Sequence, residues 1–178
     1  MQRLAVLLLV CGFLAGCDYK TAVEVRPGQP AAVLHATVAI SGGVSFTGSF
    51  DNPLNAATCA DAAKSGTNPA GRPGGATFAV PIPPASGGEP GTVGGHTFAT
   101  DASAFPYHGP GTYTGPGLSA TQLDADTRPG DQETHIFAFP TNIGTLTVNP
   151  DASGSFQFSG LKDAGSVTIS GSVTWSCH

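Results

Sequence analysis

Charge is scarce in this chain. Only 11% of its 178 residues are Asp, Glu, Lys or Arg, and the seven basic residues never cluster. Without a basic patch there is no electrostatic footprint for nucleic acid or for docking on anionic lipid. Long apolar runs are lacking as well. The longest, Leu4 to Leu14, would reach about 16 Å as a helix at ~1.5 Å per residue, roughly half of a ~30 Å hydrocarbon core. That is too short for a stable membrane span. Three catalytic signatures do not occur: Gly-x-Ser-x-Gly, His-Glu-x-x-His and the phosphate-cradling Gly-x-x-x-x-Gly-Lys. What is plentiful is Gly (25) and Pro (15), together with Thr, Ser and Ala, a composition that suits a β protein with many turns better than a helical one.

The N-terminus has the order of an export signal: Arg3, the apolar run, then the small residues Ala15 and Gly16. Leu14-Ala15-Gly16-Cys17 resembles the bacterial lipobox, in which a small residue and Gly precede the Cys that receives a diacylglyceryl group. The resemblance implies removal of residues 1–16 and lipidation of Cys17, with the membrane as partner through that lipid on an extracytoplasmic face. Two acyl chains satisfy the rule that stable anchoring takes more than one lipid signal. The alternative is an ordinary secretory signal cleaved nearby, with Cys17 an incidental thiol. Asp18 resembles the signal that keeps enteric lipoproteins in the inner membrane. Residues 17–32 have no apolar period and read as a tether reaching about 20 Å as a coil. Residues 33–178 are then one domain. Once Arg3 leaves with the signal, six basic residues face twelve acidic ones, a net charge of −6.

Of four cysteines, Cys11 goes with the signal and Cys17 takes the lipid, leaving Cys59 and Cys177. Two thiols in an oxidising compartment most simply pair with each other. A redox pair is the alternative, but no Cys-x-x-Cys is present.

The clearest strand is the last. Val167, Ile169, Val173, Trp175 and Cys177 alternate with Thr168, Ser170, Ser172, Thr174 and Ser176, so one face is apolar and the other hydroxyl-coated. Residues 38–46 match residues 167–175 at five of nine positions. At Gly42-Gly43 a two-residue hairpin would put Ser41 opposite Val44 and Ile40 opposite Ser45, mixing the faces. One continuous strand, bent at the glycines, keeps Val38, Ile40, Val44, Phe46 and Phe50 together, and this is the expectation. Asn52 as cap, Pro53 at the first helical position and Gly66 past the end predict a short helix over 54–64, around Cys59. Further strands are predicted at 76–82, 96–100, 112–114, 118–123, 134–139, 145–148 and 155–158. The last two should form a hairpin through Asn149-Pro150-Asp151-Ala152-Ser153-Gly154. Eight or nine short strands imply an all-β fold, an antiparallel β-sandwich of immunoglobulin-like or jelly-roll-like type, with an open β-barrel as the alternative.

Three constellations carry candidate chemistry. Asp124, Asp126, Asp131 and Glu133 cluster in a ten-residue segment as clustered calcium oxygens do, although Arg128 stands at the fifth position of an EF-hand-like loop and Gly130 comes one residue late. A solvated acidic turn is the competing reading. His35, His96, His108, His135 and His178 are candidate copper or zinc ligands with none paired at i+2 or i+4. Tyr107, His108 and Tyr113 lie among two Gly-Pro-Gly units, a rigid loop that would present aromatic faces to a sugar or peptide; alternatively the tyrosines seal the core edge.

Taken whole, the chain resembles the small Gly/Thr-rich β lipoproteins of bacterial envelopes, a resemblance of architecture that implies no known activity. The expectation is a membrane-anchored, extracytoplasmic, non-catalytic binding or structural module with an envelope protein or glycan as partner, and without a cofactor. A metal-handling (copper, zinc or calcium) protein or an envelope hydrolase is the alternative.

Overall fold

The computed structural model describes residues 31–72, 74–87, 89–126, 134–140 and 144–178. Leu14 to Cys17, the tether up to residue 30, Asp131 and Glu133 lie outside the described residues.

β1 (Val33–Gly42) and β2 (Phe46–Pro53) form an antiparallel hairpin. This corrects the single bent strand expected across Gly42-Gly43. The two-residue turn is not the only way to reverse there. With Ile40 opposite Phe46 and Ala36 opposite Phe50, a five-residue connection keeps the apolar residues on one face, and Val44 in the connection is itself buried. Gly42 carries φ +116°, a left-handed conformation that only glycine adopts cheaply. The helix also starts later than predicted: α1 spans Cys59–Ser65. Asn52 stays in β2 opposite Leu34 and donates to the Ile82 carbonyl at 2.8 Å, so it is not free to cap. Thr58 caps instead, its hydroxyl oxygen accepting from the Asp61 amide at 3.1 Å and its hydroxyl donating to the Asp61 carboxylate at 2.7 Å.

After the helix come β3 (Asn68–Arg72), β4 (Gly75–Ala79), β5 (Thr92–Val93) and β6 (His96–Thr100). The two-residue Gly-Gly hairpin that 42–43 does not form occurs between β5 and β6, where Gly94 and Gly95 both have positive φ. β7 (Ser103–Ala104), β8 (Gly111–Tyr113), β9 (Leu118–Ser119) and β10 (Gln122–Asp126) follow, then β11 (Thr134–Ala138), β12 (Gly144–Val148), β13 (Gly154–Lys162) and β14 (Thr168–Cys177). β12 and β13 pair through the predicted turn, Leu146 opposite Phe156. The left-handed residue there is Ala152 (φ +62°), not Gly154. Gly154 is needed for space, because a Cβ would lie 2.5 Å from the Trp175 ring and 2.2 Å from the Thr147 carbonyl.

The fold is all-β and antiparallel, as expected: a ten-stranded sheet that curls nearly into a barrel, with a smaller sheet ordered β3-β4-β7-β9. The large sheet has two well-paired parts. β2-β1-β14-β13-β12-β8 is one and β11-β10-β6-β5 the other, joined among the described residues by the pair Ala138 with Lys162. On the far side the edge strands β2 and β5 meet closely, and a Cβ on Gly48 would lie 2.7 Å from the Gly94 nitrogen. The architecture is therefore sandwich-like in its two pairing units and barrel-like in its near closure. Between them lies one core containing Leu34, Val38, Phe98, Leu123, Phe137, Leu146, Phe156, Ile169 and Val173, all fully buried.

The similar segments 38–46 and 167–175 turn out to be neighbours: β1 lies beside β14 with Val38 opposite Val173 and Ile40 opposite Gly171. Phe78 of β4 covers one end of the core, with ring centroids 6.1 Å from Trp175 and 5.4 Å from Tyr107. Cys59 and Cys177 form the expected disulfide, with Cα atoms 5.8 Å apart. It ties α1 to the end of β14.

Candidate binding face

Successive side chains of a strand point to opposite faces. β1 sends Leu34, Ala36, Val38 and Ile40 into the core and His35, Thr37, Ala39 and Ser41 outward. β14 buries Ile169, Val173 and Trp175 and turns Thr174 and Ser176 to solvent. Strand register then aligns the outward hydroxyls. Thr112 of β8 lies opposite Thr147 of β12, and Thr147 opposite Ser155 of β13. Ser155 lies opposite Thr174 of β14, Thr174 opposite Thr37 of β1, and Thr37 opposite Ser49 of β2. One hydroxyl from each of six adjacent strands thus forms a rank about 24 Å long, at ~4.8 Å per strand.

The rank is linked at both ends, with Thr37 Oγ1 and Ser49 Oγ 2.8 Å apart and Thr112 Oγ1 and Thr147 Oγ1 3.3 Å apart. None of its six members is buried. Two residues along the strands a second rank runs Thr145, Gln157, Ser172, Ala39, Thr47. Neither rank contains a charged or aromatic side chain. Beside them His35 and Asp51 meet across β1 and β2, with Nδ1 and Oδ1 2.7 Å apart.

Two further histidines also meet a carboxylate through Nδ1. His96, at the start of β6, lies 2.8 Å from Asp126 of β10, and both are buried. The other Asp126 oxygen accepts from the Thr97 amide at 2.9 Å, and Phe46 stacks flat on the imidazole at 4.6 Å. His135 of β11 lies 2.7 Å from Asp163, which also accepts from the Val167 amide at 2.7 Å. The His135 hydrogen bond holds the Asp163 carboxyl below the usual carboxylate range. Burial acts to raise Asp101, but hydrogen bonds from the Thr121 hydroxyl and the Thr121 and Gln122 amides outweigh it, leaving the group lowered.

The sequence-predicted residues fall in different places. Tyr107 is buried, donates its hydroxyl to the Ala63 carbonyl and stacks on Tyr113 at 5.6 Å; burial pushes its phenol well above the usual range. Tyr113 is half-buried and donates to the Gly109 carbonyl, while His108 is exposed. Asp124 is half-buried with its carboxyl raised by burial, and takes the Gln122 amide; Asp126 is committed to His96 and Thr97. Asp131 and Glu133 are outside the described residues. Among the described residues no three His, Cys, Asp or Glu side chains converge on one metal-sized position. The hydroxyl rank is the feature that strand-by-strand reading misses, since it needs the register between distant strands.

No family model, no curated protein and no solved structure matches this chain. Among the described residues no helix is long and apolar enough to cross a membrane. The Cys59–Cys177 disulfide suits an oxidising compartment outside the cytoplasm.

Proposed function

We propose that this chain is a lipid-anchored, extracytoplasmic, non-catalytic binding module. In this reading Cys17 carries the lipid, the residues from there span from the membrane up to Ala32, which is buried in the domain and donates to the Ala56 carbonyl at 2.9 Å, and the six-stranded face meets an envelope glycan or protein. The hydroxyl rank carries the reading. Thr suits an outward strand position through its β propensity alone, but propensity does not ask that charge be kept out of two adjacent ranks on a solvent-facing sheet. Here one rank is six neutral hydroxyls aligned over six strands, and the rank beside it is uncharged as well. Each is both donor and acceptor, which suits a partner rich in uncharged polar groups.

Anchoring is tested by growing cells that express the chain with labelled palmitate. Label should enter the mature protein and vanish in Cys17→Ser; label retained in that variant, or absent from both, contradicts the anchor. The metal-handling or hydrolase alternative rests on the half-exposed His135, whose Nδ1 is held by the Asp163 carboxylate, leaving Nε2 as the ring nitrogen for a metal or a proton, as in oriented metal ligands and catalytic bases. Stoichiometric copper, zinc or calcium after mild dialysis would favour it over the binding module.

A further inference from the structure

We infer that the six-stranded face binds a neutral, insoluble polysaccharide, along whose repeating hydroxyls the two ranks lie. This deepens the binding-module reading and rests on it. The first ground is charge. The chain has twelve acidic and seven basic residues, yet the eleven positions of the two ranks carry none of them, and the adjacent His35 and Asp51 are paired. A partner bearing phosphate or carboxylate finds no Lys or Arg in the ranks, and an ammonium finds no carboxylate within them, so complementarity along the ranks selects a neutral one.

The second ground is what holds it. The ranks offer no aromatic ring for a sugar to stack on and no large apolar side chain, Ile136 on β11 being the exposed large hydrophobic among the described residues. Hydrogen bonds are what remain, and each contributes only about 0.5–1.5 kcal/mol net once water is displaced. A single sugar making two or three such bonds does not stay. A polymer chain draped along a rank about 24 Å long, following the curve of the sheet, meets it at many points and does, because later contacts form at high effective concentration. Thr37 linked to Ser49, and Thr112 to Thr147, shows hydroxyls already ordered before any partner arrives, which lowers the entropy cost of binding.

The test is co-sedimentation of the full chain, in detergent, with chitin and with microcrystalline cellulose. The wild-type chain should be retained on at least one, insensitively to salt, and the soluble disaccharide of that polymer should compete poorly. Thr37→Val with Thr174→Val removes two neighbouring hydroxyls of the rank while keeping shape and β propensity, and should weaken retention about tenfold at roughly 0.7 kcal/mol per bond. Thr134→Val, on β11 in the other part of the sheet, should leave it unchanged. Four results would overturn the inference: no retention on either polymer, equal retention by the double variant, retention abolished by moderate salt, or a face that restrains ice growth while ignoring polysaccharide. If the double variant instead loses a crosslinked envelope protein, the polysaccharide is wrong and the binding module stands. If it changes no interaction, both fall.

Discussion

Ser155 and Phe156 are neighbours in the chain and lie on opposite sides of β13. Phe156 is fully buried, packed 5.8 Å from Phe139 and 5.7 Å from Phe158, whereas Ser155 sits in a line of hydroxyls open to water. The same contrast runs along β1, β12 and β14. The inner face is shaped by packing density, where one methylene too many or too few is felt. The outer face makes few demands of that kind, so the choice of side chains there is free to serve a partner. Two surfaces of one sheet thus differ in what constrains them, packing on the inside and, on the proposed reading, a partner on the outside.

Substitutions sharpen the contrast when ranked by size. The largest effect belongs to the covalent tie beneath the inner face: Cys59→Ser, opening a 118-residue loop, should lower stability by up to about 5 kcal/mol on the chain-entropy model, read from the urea midpoint of each form. Phe156→Ala empties a fully buried site and should cost about 3–5 kcal/mol, seen as a melting temperature lower by roughly 10 °C.

Asp163 gives a smaller, pH-dependent effect at the end of β13. Its carboxyl, lowered by His135, stabilises the native state when ionised. That stability is present above the unfolded pKa near ~3.9 and is lost as pH falls through the lower folded value. Asp163→Asn should therefore flatten the fall in urea midpoint below about pH 4. The smallest effect is expected on the outer face, where Thr174→Val should change stability by no more than about 0.5 kcal/mol.

Much of this fold was legible because alternation is local. The last strand, the Asn149–Gly154 hairpin and the pairing of Cys59 with Cys177 need only the residues themselves and the compartment they imply. The misreadings have particular causes. At Gly42-Gly43 a two-residue turn and a continuous strand are not the only options, since a connection over residues 41–45 keeps the apolar register equally well. Asn52-Pro53 has the residues of a helix start, but the Asn52 side chain is spent on the Ile82 carbonyl. β3, Asn68-Pro69-Ala70-Gly71-Arg72, has no period to see. The candidate face was half-legible: the hydroxyl coat of the last strand stands out alone, but its alignment with Thr37, Ser49, Ser155, Thr147 and Thr112 exists only once six strands are in register.

One paired measurement tests the division of labour most directly: melting temperature and retention on chitin and cellulose for the same Thr37→Val/Thr174→Val chain. The account predicts a melting temperature within about 2–4 °C of wild type, the span of ~1 kcal/mol for a domain of this size, together with the tenfold loss of retention. Unchanged retention, or a loss that only tracks unfolding, would contradict it.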